Sequence, residues 1–139
     1  MDYNLPSTAD RLFLINLKDG SVEKHKVSHG VNSSGKGPLR NYAVKYTNQP
    51  STNTSSHGAF LTGESYHGTF GYSLRVDGQQ QGINSNARKR AIVIHPFDKV
   101  TKSKAEDTWG CFGLSRSVSK SIINKTKNGS VWYTEPYKG

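Results

Sequence analysis

In 139 residues the chain has one cysteine and one methionine, and few acidic groups to set against its lysines and arginines. A single cysteine, Cys111, makes no internal disulfide and has no partner for the paired spacing of zinc sites. The five histidines are not grouped at ligand spacing either, so no metal and no cofactor are expected. Asp and Glu number 10 against 19 Lys and Arg, a formal charge of +9, which brings an anionic partner to mind. The basic residues are spread along the chain, however, with one dense cluster at Arg88-Lys89-Arg90. Neither a zinc-finger nor an RNA-sheet signature accompanies them, so specific nucleic-acid binding is not expected. No run approaches the roughly 18 apolar residues of a membrane span, so no transmembrane segment is expected. The opening Met1-Asp2-Tyr3-Asn4-Leu5-Pro6 lacks the charged and apolar parts of an export signal.

Apolar residues make up only 32% of the chain, and 14 glycines accompany many Ser, Thr and Asn, a composition that suits a turn-rich, mainly β fold. Seven tyrosines, five phenylalanines and two tryptophans supply large groups to bury, which argues against disorder. The length suits one domain, residues 1–139, with 1–10 as a polar lead-in, acting as a monomer. Residues 11–17 and 21–28 read as a hairpin about Lys18-Asp19-Gly20. His25 and His29, on or after the return strand, are assigned surface or packing roles. The glycine-rich stretch 30–37 lacks the Gly-Lys-Ser/Thr ending of a phosphate cradle and reads as a connection. Residues 42–46 alternate as a short strand, 47–56 as an exposed loop, and 57–61 as extended chain. Residues 115–127 carry the one helical pattern: Val118, Ile122 and Ile123 share a face, with Ser117 as N-cap and Gly129 as stop. A last strand covers 130–134.

Two stretches carry chemistry. Arg90-Ala-Ile-Val-Ile-His95 is an apolar run, read as a buried strand, that ends in an imidazole, and Cys111 follows sixteen positions later behind Thr108-Trp109-Gly110. A thiolate is the nucleophilic form of cysteine, and a neighbouring histidine can take its proton, which is the minimum for acyl transfer. Gly110 allows a tight turn that presents backbone N–H groups to an oxyanion. The second stretch, 64–73, sets Tyr66, His67 and Tyr72 among glycines, an arrangement suited to gripping a ligand. His67 is the rival to His95 as partner of the thiol, and His95 is preferred for its place at the end of a strand.

Ile92-Val93-Ile94-His95 followed by Thr108-Trp109-Gly110-Cys111 resembles the L,D-transpeptidase catalytic domain, in particular its murein branch. There a strand ending in the catalytic His precedes a Ser/Thr-x-Gly-Cys motif. Further similarity runs through 62–66, 71–78 and 82–95, so that the resemblance covers about residues 11 to 133. It implies a β-sandwich or barrel with one short helix after the nucleophile. It also implies that Cys111 attacks the bond between an L-centre and the terminal D-alanine of peptidoglycan tetrapeptide stems. His95 would take the thiol proton and hand it to the departing D-amino acid, oriented by the backbone carbonyl of Pro96. N–H groups around Gly110 and Cys111 would hold the oxyanion, and Thr108 would bond His95 or the nucleophile loop. Tyr66, His67, Tyr72, Arg90 and Trp109 are expected on the substrate.

The acyl acceptor would decide between cross-linking, D-amino-acid exchange and L,D-carboxypeptidase action, and a non-catalytic cell-wall binding module is the alternative on the same fold. The implied location is extracytoplasmic, in the periplasm or cell wall. Two positions depart from the family pattern. Pro96 stands where many relatives have Gly, and Gly113 stands where the broader family has Arg, leaving Arg116 and Arg90 as candidates for that role.

Overall fold

Strands β1 (Leu12–Ile15) and β2 (Val22–His25) form the expected hairpin, with Leu12 opposite His25 and Ile15 opposite Val22. Gly20, at φ 74°, occupies the left-handed position of its turn, where an L side chain would be strained. The main sheet contains β3 (Gly58–Gly68), β4 (Gly71–Gly78), β5 (Val93–Pro96), β6 (Phe112–Leu114) and β7 (Val131–Thr134). Its order is β6-β5-β4-β3-β7, antiparallel throughout except for the parallel β5–β6 pair. The computed structural model describes residues 1–139, and its mainly β architecture with one helix behind β6 is the expected fold class.

Side chains alternate across a strand, so each strand contributes one apolar face. Phe60, Leu74, Val76, Ile94, Phe112, Leu114 and Trp132 point into one core. Helix α1 (Arg116–Thr126) covers this face with Ile122 and Ile123. Each such buried side chain contributes about 1.5–3 kcal/mol. Ser115, not Ser117, caps the helix: it leaves β6 in an extended conformation and accepts the Ser117 N–H at 3.4 Å, whereas Ser117 already lies within the helix. The stop falls near the expected Gly129, with Asn128 (φ 64°) and Gly129 (φ 115°) in the positive-φ region.

Three expectations change. Residues 64–73, read as a ligand-gripping stretch set among glycines, lie within a long hairpin, β3–β4, with a bulge between Thr62 and Ser65. Residues 42–46 form no strand, because the Val44 and Lys45 N–H groups both turn to the Ser33 carbonyl (2.7 and 3.3 Å) and leave no ladder to extend. Residues 1–10 pack into the fold: Tyr3 is 0% exposed, stacks on Tyr46 at 5.5 Å, and donates its backbone N–H to Glu135 O at 3.0 Å.

Thr62 joins the sheet to the end of the helix. Its Oγ1 donates to Thr126 O (2.5 Å) and accepts from the Ser130 N–H (2.8 Å). Thr62→Val keeps the shape but leaves both buried groups unpaired, and is expected to lower unfolding stability by about 1–3 kcal/mol, read by denaturant titration.

Candidate active site

β5 delivers His95. Because Ile94 enters the core, Val93 and His95 face the other side of the sheet. The imidazole is 2% exposed, stacked under Phe70 (ring centroids 4.4 Å, 21°) and edge-on to Phe97 (5.9 Å). Its Nδ1 lies 2.7 Å from the Pro96 carbonyl. A carbonyl only accepts, so Nδ1 carries the proton and Nε2 keeps a free lone pair. Proline at 96 preserves this contact, since its ring removes an N–H and not a carbonyl. Burial pulls the His95 pKa below the ordinary imidazole value, opposed by the Pro96 hydrogen bond, so the neutral base is favoured.

Cys111 immediately precedes β6. Phe112 and Leu114 face the core, and Gly113 pairs with His95 across the parallel ladder. Continuing the alternation puts Cys111 on the His95 face, two residues or about 6.6 Å back along the strand. The half-buried sulfur donates to the Ala91 carbonyl at 3.4 Å, toward the start of β5. The thiol and the imidazole thus bond to different backbone carbonyls and not to each other. Burial pushes the thiol pKa up, against the Val93 N–H and the Arg90 charge, which pull it down.

The loop before the sulfur is closed by Thr108, whose Oγ1 donates to Cys111 O (2.7 Å) and accepts the Gly110 N–H (3.3 Å). Thr108 thus bonds within the loop 108–111 and not to His95. The Cys111 N–H has no acceptor in the protein. Gly110 adopts φ 116°, and a Cβ there would meet Thr54 O at 3.0 Å. Arg90 is half-buried and pairs with no acid: its guanidinium donates to Thr47 O (2.7 Å), Ser56 Oγ (2.6 Å) and Thr54 O (2.7 Å), which clamps loop 47–56. Burial lowers its pKa while Cys111 nearby raises it.

The expected ligand-gripping residues divide. Tyr66, opposite Ser73, lies on the His95 face with Arg75 stacked 4.0 Å from its ring centroid. His67 and Tyr72 stack on each other on the opposite face (5.2 Å), where the Tyr72 hydroxyl donates to Asn124 of α1 at 2.7 Å. Trp109 is 77% exposed. Arg116 pairs with Asp98 (2.6 Å) beside a 360 Å³ groove lined by Phe70, Pro96 and Phe97, on the far side of His95 from the sulfur. The reading from sequence missed Phe70 and Phe97, which enclose the imidazole. Phe97, two residues past His95, was the available signal.

Gly113 also acquires a reason. A Cβ there would sit 2.9 Å from Ser28 Oγ and 3.1 Å from Phe97 Cβ, so the space an arginine would need is already filled.

The geometry is that of a β-rich domain with a histidine on β5 and a cysteine immediately before its parallel partner β6. A family model described as L,D-transpeptidase catalytic domain matches residues 1–134, and the chain belongs to that family of peptidoglycan-modifying domains. Among solved structures, the helical cell shape determining protein Pgp2 from Campylobacter jejuni is similar, with a TM-score of 0.55 at 14% identity over 87% of this chain and 42% of that one. An L,D-transpeptidase from Xylanimonas cellulosilytica has a TM-score of 0.50 at 14% identity, over 88% of this chain and 54% of that one. At these identities the likeness is one of fold, and the chain spans about half the length of these structures or less. No curated protein sequence matches the chain.

Two outcomes are expected. Cys111 alkylation by iodoacetamide should climb with pH to an inflection above the ordinary thiol range, because burial outweighs the groups that favour the thiolate. Gly113→Arg, although it matches the broader family, should cost about 1–3 kcal/mol of stability by overpacking against Phe97, measured by thermal or denaturant melting.

Proposed function

We propose that this domain is a cysteine acyltransferase acting on peptidoglycan tetrapeptide stems, with Cys111 as nucleophile and His95 as its base. The observation that carries the reading is the His95 tautomer. With Nδ1–H held by Pro96 O, the Nε2 lone pair is left for a thiol on the same sheet face. Rotation about the Cys111 Cα–Cβ bond releases the sulfur from Ala91 O and turns it along the strand toward the imidazole. His95 then takes the thiol proton as sulfur bonds to the carbonyl carbon of the L-centre. The bond to D-alanine breaks, and the same proton goes to the departing amine.

The unpartnered Cys111 N–H suits the developing oxyanion, and a donor so placed is commonly worth about 3 kcal/mol. The Gly110 N–H, bonded at 3.3 Å to Thr108, is a second donor held less freely. Because the thiol and imidazole both favour their neutral forms, the ion pair forms on substrate arrival and not at rest. An amine from a neighbouring stem, a free D-amino acid or water releases the acyl enzyme. The substrate places the activity outside the cytoplasm. Tyr66, Trp109 and the Arg116 groove are the candidate surfaces for binding the stem.

Two observations favour a second reading, a cell-wall binding module without catalysis: the sulfur is bonded to Ala91 O, and Phe70 covers His95. Incubation with disaccharide-tetrapeptide and product analysis separates the readings. The enzyme releases D-alanine, and neither Cys111→Ala nor His95→Ala does so above about 0.1% of the wild-type rate. Intact-mass measurement after exposure to a carbapenem should show one adduct on Cys111. A protein that binds the stem, releases nothing and gains no mass is the silent module.

A further inference from the structure

Away from the thiol and its base, the chain buries a cation with no acid in contact. Arg11 is 0% exposed, and its guanidinium donates to Val27 O (2.7 and 3.0 Å), Leu5 O (3.3 Å) and His29 Nδ1 (2.8 Å). A buried charge needs compensation, and the nearest anion is reached through side chains. His29, also 0% exposed, has its Nε2 2.8 Å from Ser34 Oγ and 3.5 Å from Asp107 Oδ1, and Ser34 Oγ donates to Asp107 Oδ2 at 3.3 Å. Arg11 can only donate, so His29 Nδ1 accepts and Nε2 carries the proton. The hydrogen bonds therefore run in one direction, from the guanidinium through imidazole and hydroxyl to the carboxylate. Ser34, His29 and Asp107 look like a hydrolase triad, but the polarity is reversed. Nε2 donates to the serine and cannot take its proton, so Ser34 is no second nucleophile.

The relay ends next to the thiol's loop. Asp107 precedes Thr108, whose backbone N–H donates to His29 O (2.9 Å) and whose carbonyl accepts the Val31 N–H (2.8 Å). We propose that Arg11, His29, Ser34 and Asp107 form a positioning relay for the loop 107–111, with His29 holding that loop through both its ring and its carbonyl. The kinetic consequence of the relay rests on the acyl-transfer reading, whereas its geometry does not. Tyr3, edge-on to the ring at 6.2 Å, and Lys104 are the other groups facing His29. Burial, Arg11 and Lys104 together pull its pKa down to about 3, which keeps the relay neutral at its centre.

Ser34→Ala and Asp107→Asn test this in the full chain, because both positions are only partly buried and the core is untouched. Each should lower kcat for D-alanine release about ten- to a hundredfold, with KM within about twofold and a melting temperature near wild type. Ser34→Thr, which keeps the hydroxyl, should restore kcat. Nitrogen NMR of the labelled protein should find His29 protonated at Nε2 alone. Iodoacetamide should label Cys111 faster in both variants as the loop loosens. Unchanged kcat and unchanged labelling, or a proton on His29 Nδ1, would overturn the relay. If the wild type releases no D-alanine, the acyl-transfer reading fails, while the NMR and labelling results still decide the relay.

Discussion

The parallel pairing of β5 with β6 is the constraint on which the site depends. An antiparallel neighbour could follow through a two-residue turn, but a parallel one needs a long crossover. Residues 97–111 are that crossover, and its end carries Thr108, Gly110 and Cys111. The register, His95 opposite Gly113, then sets where the sulfur stands relative to the imidazole. A shift of one residue would send Cys111 into the core face and Phe112 out of it. The crossover is tied along its length, by Phe97 N–H to Leu114 O (2.7 Å), Ala105 N–H to Ser7 O (2.9 Å) and the Thr108 pair with His29 and Val31. Residues 1–10 therefore belong to the machinery that holds the loop.

The same pairing explains the departures from the family pattern. Gly113 lies directly beside His95, under Phe97 and Ser28, and the aromatic ring occupies what an arginine would need. Phe97 and Phe70 together surround the imidazole with apolar surface, which lowers its pKa and favours the neutral base. Proline at 96 fits this design because only its carbonyl is used.

The local apolar patterns were legible in the sequence: the β1–β2 hairpin, the helix face of Val118, Ile122 and Ile123, and the last strand follow from periodicity or turn residues, whereas of the strand read over 90–95 only 93–95 belong to β5, Arg90 and Ala91 lying in a turn with Ala91 at φ 56°. Residue chemistry and motif single out His95 and Cys111, which stand on β5 and immediately before its parallel partner β6. The β3–β4 hairpin was not, because Gly63, Gly68 and Gly71 read as loop punctuation while the ladder between Ser65 and Tyr72 satisfies the backbone. His29 was hidden for a different reason. Its partners lie 18 residues before it, 5 after it and across the fold at Asp107, and no spacing rule joins Arg11 to Asp107.

Charge shows most clearly how composition misleads. The cluster Arg88-Lys89-Arg90 suggests a polyanion surface, but Arg88 is bound to Asp77 and, at 2.7 Å, to Glu64, while Arg90 turns inward to carbonyls and hydroxyls of loop 47–56. Arg11 does the same for Val27 and Leu5. Two of the chain's positive charges thus clamp backbone carbonyls, Arg11 from within the core and Arg90 from a half-buried position. A guanidinium suits this work because its planar fork can hold several carbonyls at once and stays charged when buried. Lysine at either position would keep the charge and lose the fork, so the net charge of +9 counts together groups that meet solvent and groups that shape the site.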